Sequence, residues 1–598
     1  MTMRVELQAL RRRMEKRGVD GCLIMTDDFH GSEYVGGYFK SREYISGFTG
    51  SAGTLVVLKE EAGLWTDGRY FLQARQQLKD SGIVLYPMGE PGVLTVEEFL
   101  CEKMKAGQTL AFDGRCVMAS YARKIRSALS RQGTDVCGDW DLPGEVWENR
   151  PALSCQKVWQ LEKKYAGRTV GEKLKDIRSF MKEQKTAWFL SASLEDICWT
   201  LNVRGNDVEC TPVVLSYLLV GESRVIWYVQ RKAVCAQIEK DLEKDGIEIK
   251  EYGQVFSDVS RLPAGSSLLC DSGRVNEALW SCIPERVMVV DKKNPTELLK
   301  AVKNPVEVEN ERIAHRKDGV AVTKFIHWVK KKAAGKTVTE RSAADRLERY
   351  REEQENYVGP SFAPIMAYKE HGAIVHYSAG EQSDASLSGD GFLLSDTGGH
   401  YLEGTTDITR TIALGKIGRE EKELYTAVLR GHIQLADVRF LKGCTGGNLD
   451  VLARAPLWEK GYDYNHGTGH GVGYLLSVHE GPNSFRYRSS AKKGADCVLE
   501  EGMITSNEPG VYLEGRFGIR LENLMVCKKD GENDHGNFLR MEPLTMVPFD
   551  REAILPEQMT EKELSWLNRY HQKVYDALAP YLSEEEKEWL RKETAPFS

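Results

Sequence analysis

No Cys-x-x-Cys pair occurs in this 598-residue chain, and its 13 cysteines are scattered and odd in number. Both facts argue against a disulfide framework or a thiolate zinc site. Cys22, Cys198, Cys270, Cys444 and Cys527 lie in or beside apolar stretches and read as buried free thiols. The longest apolar stretch, around Pro212–Val220, is too short to span a bilayer. The first residues, MTMRVELQALRRRMEKRGVDG, are basic and amphipathic, with neither an apolar core nor a small-residue cleavage site, so they do not read as a secretory signal. An excess of positive charge is also missing: the net charge is −7 and the pI about 6.1. Nothing here favours nucleic acid or an anionic membrane as a partner. A cytoplasmic protein is expected.

What is present is length, more than one core can use, and three or four domains follow. Residues 1–150 alternate helix and strand signals, and 151–304 repeat that pattern. Two fragments echo between them. EYISGFTG (Glu43–Gly50) resembles CWTLNVRG (Cys198–Gly205), and Gly63–Leu78 resembles Arg224–Leu242, at nearly equal separations. This reads as an internal duplication of an α/β domain. Residues 305–550 open with helices over 305–332 and 339–354, then become strand-rich. Residues 551–598 are polar and helical, with no identifiable chemistry. Seven of the 12 histidines fall between His371 and His479, which marks the third region as the chemical one.

That region holds four carboxylates and a histidine in distinctive settings: Asp396 in LLSDTGG, Asp407 in GTTDITRT, His470 in HGTGHGVG, Glu508 in SNEPGVY and Glu522 in GIRLEN. Four carboxylates at one point repel unless divalent cations neutralise them, so convergence of this set predicts a metal centre. Thr405–Thr411 is a β-branched run suited to a strand, with Asp407, Thr409 and Thr411 on one face. Asp396 ends an apolar strand over 391–395 before the Gly398–Gly399 turn, and a hairpin would bring the two aspartates together. Arg520 and Glu522 are expected to share a face of one strand over 519–526. Glu508 precedes a Pro-Gly turn signal, and the glycines around His470 permit tight turns that aim its ring inward. Five ligands exceed the needs of one tetrahedral ion. Two bridging carboxylates, Asp407 and Glu522, would hold two divalent metal ions. Oxygen-rich ligation with one imidazole suits Mn²⁺ and accepts Co²⁺, Zn²⁺ or Fe²⁺. Two such ions lower the pKa of a shared water towards neutrality and supply a hydroxide nucleophile.

The motifs GAIVHY (Gly372–Tyr377), GTTDITRT (Gly404–Thr411), HGTGHGVG (His466–Gly473), HEGP (His479–Pro482), EPG (Glu508–Gly510) and GIRLEN (Gly518–Asn523) resemble the proline-specific branch of the pita-bread metallopeptidases. FTGSAG (Phe48–Gly53), WTDGRY (Trp65–Tyr70) and LNVRGNDV (Leu201–Val208) resemble landmarks of the long, three-domain Xaa-Pro aminopeptidases. The resemblance implies an α/β (α+β) chain: two creatinase-like α/β domains followed by a pita-bread catalytic domain. It implies one metal on Asp407, His470, Glu508 and Glu522, and another on Asp396, Asp407 and Glu522. His376, His466 and His479 would orient substrate and stabilise the tetrahedral intermediate, Arg520 would hold a metal-binding carboxylate, and Tyr512 would lie nearby. Glu508 would carry a proton to the leaving nitrogen. The substrates implied are peptides with proline at position two, and the assembly a homodimer. His400 replaces a residue of the usual wording and is not expected to be a ligand.

Four alternatives remain, of which methionine aminopeptidase lacks such creatinase-like N-terminal domains. Prolidase cuts Xaa-Pro dipeptides but has a single N-terminal domain. A non-catalytic peptidase-like binding module would have lost ligands, and a creatinase-like hydrolase works without them.

Overall fold

The computed structural model describes residues 4–487 and 497–597. The first three residues of the amphipathic N-terminal segment therefore lie outside it. The chain divides into two compact units. One comprises Met1–Glu162 with Arg168–Glu297, and the other Lys163–Gly167 with Leu298–Ser598.

The first unit holds two six-stranded sheets. The first is built from Gly21–Met25 (β1), Thr54–Leu58 (β2), Ala62–Thr66 (β3), Val84–Pro87 (β4), Thr109–Ala111 (β5) and Asp135–Cys137 (β6), in the order β4-β3-β2-β1-β5-β6. The second uses Trp188–Ser191 (β7), Ser216–Gly221 (β8), Val225–Val229 (β9), Ile247–Glu251 (β10), Ser267–Cys270 (β11) and Met288–Asp291 (β12), in the order β10-β9-β8-β7-β11-β12. The two orders match position by position. So do the strand senses: β1–β2 and β2–β3 are antiparallel, like β7–β8 and β8–β9, and the outer pairs are parallel. Parallel neighbours need a crossover, which helices such as Phe71–Gln77 and Ala236–Lys244 supply at equivalent places. Trp65 and Trp227, on which the sequence echo centres, lie on the equivalent strands β3 and β9, both fully buried. The duplication is thus present as repeated topology.

Two expectations in this unit need correction: the apolar pattern predicts a strand over 212–220, and the two prolines of 141–151 predict an irregular stretch there. The apolar run 212–220 becomes strand only from Ser216, because Val214 N–H is taken by Cys198 Sγ and Leu215 N–H by Asp207 Oδ2 instead of a neighbouring strand. The stretch 141–151 is not wholly irregular. It contains a short helix, Leu142–Val146, capped by the Asp141 side chain.

The second unit opens with Pro305–Lys332 (α1) and Glu340–Glu352 (α2). A capping box joins Asn304 and Glu307 before α1, with Pro305 as its first residue, and Thr339 caps α2. Strands follow: Tyr357–Pro360 (β13), Ile365–Tyr368 (β14), Phe392–Thr397 (β15), Gly399–Tyr401 (β16), Gly404–Thr405 (β17) and Ile408–Ala413 (β18). They form two three-stranded sheets, β13-β16-β17 and β14-β15-β18. Helices Arg419–Ala436 (α3) and Gly446–Trp458 (α4) flank Arg439–Leu441 (β19). The apolar period over 420–440 predicts one helix to Phe440, but α3 stops at Ala436, and Phe440 pairs with Leu539 in a ladder. The remaining strands are Gly469–His470 (β20), Ser484–Phe485 (β21), Ile504–Asn507 (β22), Gly510–Leu513 (β23), Phe517–Arg520 (β24), Asn523–Asn533 (β25) and Gly536–Pro543 (β26).

Helices Glu561–Leu578 (α5) and Glu584–Glu593 (α6) close the chain. Trp566, Leu567, Tyr570, Val574, Leu578 and Leu590 belong to the same apolar core as α3 and α4. The Arg410 guanidinium, beside the candidate site, donates to the Val547 and Pro548 carbonyls and to the Tyr570 hydroxyl. The polar C-terminal stretch is amphipathic and contributes core.

Candidate metal centre

Two of the strands expected to carry the site are broken at the residues that matter. The run 405–411 is split: β17 ends at Thr405, β18 begins at Ile408, and Asp407 sits in the gap. Thr406 causes the break. Its N–H bonds the Gly399 carbonyl, its carbonyl accepts from Ser361 Oγ, and its hydroxyl donates to Asp318 Oδ2 of α1 at 2.6 Å. The run 519–526 is split in the same way, between β24 and β25, with Leu521 and Glu522 in the gap. There Leu521 N–H turns to the Pro509 carbonyl and Glu522 N–H to that of Thr409. Each break lets the carboxylate leave the sheet face that a continuous strand would impose on it. Asp396 lies near the end of β15, in register with Thr409 of β18, two residues from Asp407, whose charge acts on the Asp396 carboxyl.

His470 Nε2 stands 3.4 Å from Asp407 Oδ2 and 3.4 Å from Glu508 Oε1. Asp407, His470 and Glu522 each present one ligand atom, all within 4.8 Å of one another. His470 Nδ1 lies 2.9 Å from the Gly471 carbonyl. That bond requires the proton on Nδ1 and leaves Nε2 as the nitrogen that faces the carboxylates and that a metal would take. Glu522 Oε2 accepts from Thr409 Oγ1 at 2.7 Å, and Asp396 Oδ2 accepts from Arg520 Nη2 at 2.6 Å. Asp396 Oδ1 is buried and takes no hydrogen bond.

The electrostatics are those of an uncompensated cluster. Burial, then the charges of Asp407, Glu508 and Asp396, push the Glu522 carboxyl well above its usual range. Asp396 and Glu508 are raised too, by burial first and Asp407 in addition, against the opposing Arg520 and His470. For His470 burial alone would lower the pKa, but Asp407 and Glu508 outweigh it and raise it to about 9. Four carboxylates with one orphaned buried oxygen, and an imidazole whose Nε2 proton a cation would displace, suit divalent cations, which supply the missing positive charge. This donor set fits metal.

The remaining expected residues surround this set. Arg520 Nη1 donates to the Tyr512 hydroxyl at 2.8 Å, and that hydroxyl is 2.8 Å from His466 Nε2. His466 Nδ1 is 2.8 Å from the Gly467 carbonyl, so Nε2 accepts from Tyr512. Burial, assisted by Arg520, lowers the His466 pKa to about 3, so its ring is neutral. Both of its nitrogens are engaged by protein. The His479 ring meets the His470 ring edge-on, centroids 4.3 Å apart. His376 lies in the segment after β14, where the neighbouring Val375 carbonyl accepts from Arg520 Nη2 at 3.3 Å. His400 is buried on β16 against Thr405 Oγ1, outside the cluster.

Several supporting residues escape a reading of motifs. Asp318 and Arg351 form a buried pair, Nε to Oδ1 2.6 Å, and Arg351 also donates to Thr397 Oγ1. The pair thereby touches the residue after Asp396 and the residue before Asp407. Ser506 Oγ accepts from His470 N–H and donates to Glu508 Oε1. Thr409 was legible, two residues from Asp407 on a β-branched run. Asp318 and Arg351 look like ordinary helix-surface charges in sequence.

Known proteins match the whole chain. Residues 309–529 match Metallopeptidase family M24, and 6–139 and 149–307 each match a Creatinase/Prolidase N-terminal domain. Residues 537–597 match the C-terminal region of peptidase M24. Aminopeptidase P1 of Arabidopsis thaliana is 36% identical over 634 residues, covering 97% of both chains. A probable Xaa-Pro aminopeptidase P of Sordaria macrospora is 36% identical over 99% of each. The crystal structure of an X-prolyl aminopeptidase from Caenorhabditis elegans, a cytosolic enzyme with a di-nuclear active site, superposes with a TM-score of 0.94. It is 31% identical, covering 99% of this chain and 100% of that one. Fold and site together define a metallopeptidase with creatinase-type N-terminal domains. The chain belongs to the aminopeptidase P family, and it is a metal-dependent aminopeptidase.

Proposed function

We propose that this enzyme removes the first residue from peptides whose second residue is proline, using two divalent ions held by Asp396, Asp407, His470, Glu508 and Glu522. The convergence of Asp407, His470 and Glu522 within 4.8 Å, flanked by the other two carboxylates, carries the reading. In our assignment Asp407, His470, Glu508 and Glu522 would hold one ion, and Asp396, Asp407 and Glu522 the other. Bound there, such ions supply Lewis acidity and a water acidic enough to give a nucleophile at neutral pH. Oxygen-rich ligation favours Mn²⁺, with Co²⁺, Zn²⁺ or Fe²⁺ as alternatives.

The protein's own groups divide the remaining work. Glu508 Oε1 takes the proton of the attacking water and passes it to the leaving proline nitrogen, a secondary amine that needs protonation to depart. His479 and His376 donate to the developing oxyanion and orient the peptide. Arg520 fixes Asp396 through its 2.6 Å bond. We give His466 a supporting part, because Tyr512 and Gly467 occupy its nitrogens. The expected segmentation into 1–150, 151–304, 305–550 and 551–598 is part of this proposal, with two non-catalytic domains before the catalytic one.

The Mn²⁺-loaded protein offered Arg-Pro-Pro, Ala-Ala-Pro and Ala-Pro should release the first residue of Arg-Pro-Pro and lose that activity in chelator. Cleavage of Ala-Pro alone would identify a prolidase instead, and cleavage of Ala-Ala-Pro at its first bond would defeat the proline requirement.

A homodimer and a cytoplasmic location complete the proposal. Trp458 (40% exposed) and Tyr487 pack edge-to-face at the surface of the catalytic unit, a feature typical of association surfaces. All 13 cysteines are free thiols, as suits a reducing compartment. Among the described residues no helix is long and apolar enough to cross a membrane. Light scattering should give twice the 67.4 kDa chain mass, and a monomer at micromolar concentration would refute the dimer.

A further inference from the structure

Glu340, the first residue of α2, is a carboxylate with no exposed surface. Burying such a charge is costly unless donors surround it. Four do. Oε1 accepts from Tyr368 N–H at 2.7 Å and His371 Nδ1 at 2.8 Å, and Oε2 from Ala385 N–H at 3.0 Å and from the Tyr377 hydroxyl at 2.9 Å, whose proton is shared with the Ser383 carbonyl of the same segment, also at 2.9 Å. The Glu340 N–H in turn donates to the Ala385 carbonyl. The four donors all come from one segment, 368–385, which contains His376. The cap of α2 is already supplied by Thr339, so Glu340 is not needed for that purpose. The His371 and Tyr377 rings stack, centroids 4.4 Å apart, over the carboxylate they share.

The opposite side of the segment is held from the metal-site strands. Arg520 Nη2 bridges the Val375 carbonyl and Asp396 Oδ2. The backbone at Gly372 lies so close to Gly518 that a Cβ on Gly518 would fall 1.7 Å from the Gly372 carbonyl oxygen. His376 therefore sits on a strap clamped between Glu340 and Arg520.

We propose that Glu340 is a positioning residue for His376: its four hydrogen bonds hold the 368–385 strap in register with the carboxylate cluster. The inference rests on the aminopeptidase reading for its effect on catalysis, and on the geometry alone for its effect on the strap. Two carboxylate oxygens serve four donors. A glutamine has one oxygen and one NH₂, and the NH₂ would face the Ala385 N–H or the Tyr368 N–H donor to donor. Glu340→Gln thus keeps the volume and breaks the clamp.

The test uses the full-length Mn²⁺-loaded enzyme and the variants Glu340→Gln, Tyr377→Phe, His376→Ala and the Glu340→Gln/His376→Ala double. Glu340→Gln should lower kcat on an Xaa-Pro tripeptide by roughly 10- to 100-fold, the scale of a misplaced catalytic group, with KM and bound metal near wild type. In the His376→Ala background it should cost little more, because both substitutions disable the same group. Tyr377→Phe removes one arm, folds if Glu340→Gln does not, and should show a smaller loss with the same non-additivity. Hydrogen–deuterium exchange across 368–385 should quicken in Glu340→Gln and Tyr377→Phe and stay unchanged elsewhere in the catalytic unit. Losses that multiply with His376→Ala, or unaltered exchange in the strap, would overturn the proposal. An inactive wild type would defeat the peptidase reading, and exchange would still decide the clamp.

Discussion

Asp407→Asn is expected to cut peptide hydrolysis by on the order of 10³-fold or more, the scale on which removing a group at the reacting centre acts. Asp407 Oδ2 lies 3.4 Å from His470 Nε2, and its charge raises Glu522, Glu508 and Asp396 together, so no other single substitution reaches as much of the cluster. The same change carries a second signature. Without metal, Asp407 faces both the other carboxylates, which repel it, and the protonated His470, which attracts it, so in chelator the variant should melt close to wild type. Adding Mn²⁺ should then stabilise wild type, by about 4 kcal/mol at a thousandfold excess over Kd, and leave the variant nearly unmoved. Thermal melts with and without chelator read both effects. A variant that keeps its activity, or that Mn²⁺ stabilises as much as wild type, would contradict the assignment of Asp407 to a shared metal site.

The second large effect lies away from the ligands. Arg351→Met should destabilise the catalytic unit by about 3–5 kcal/mol, because it strands a carboxylate in the interior. Asp318 has no exposed surface, and Arg351 answers both of its oxygens, at 2.6 and 3.1 Å. Only the hydroxyls of Tyr401 and Thr406 would remain to solvate it. Thr406 adjoins Asp407, and Thr397, another Arg351 partner, adjoins Asp396, so metal affinity should fall with stability. The double variant Asp318→Asn/Arg351→Met removes the stranded charge and should be more stable than Arg351→Met alone. Urea unfolding distinguishes the cases, and a double variant weaker than the single would show that the charge is not the cause.

These two sites also mark what could be read from residues alone. Asp396, Asp407, His470, Glu508 and Glu522 stood out because short runs of glycine and β-branched residues surround each, and local backbone rules act over that distance. The repeated α/β topology was visible through Trp65 and Trp227, whose strands are buried on both faces and so tolerate little change of character. The breaks at Thr406–Asp407 and Leu521–Glu522 were not visible. They are imposed by partners far along the chain: the Asp318 carboxylate for Thr406, and the Pro509 and Thr409 carbonyls for the second. A strand pattern carries no record of a competing acceptor on another element. Glu340, Asp318 and Arg351 were hidden for a related reason. On a helix a lone charge looks the same whether it faces water or four donors. The C-terminal helices were underrated because their apolar stripe is diluted among many charges, although it is enough to bury Trp566 and Leu567.

The bond from Arg410 to the Tyr570 hydroxyl has a bearing on how the protein is made. Arg410 reaches the Glu522 carbonyl on one side and the last third of the catalytic core on the other. Translation runs from the N-terminus, so the two duplicated sheets can fold while the rest is still being synthesised. Val547 and Pro548 hold Arg410 earlier in the chain, but the brace behind the carboxylate cluster is complete only once the helix bearing Tyr570 has left the ribosome. Nascent chains should therefore stay proteolytically silent almost to their release, and a stop codon placed just before α5 should leave two well-folded sheets attached to a catalytic region that never closes.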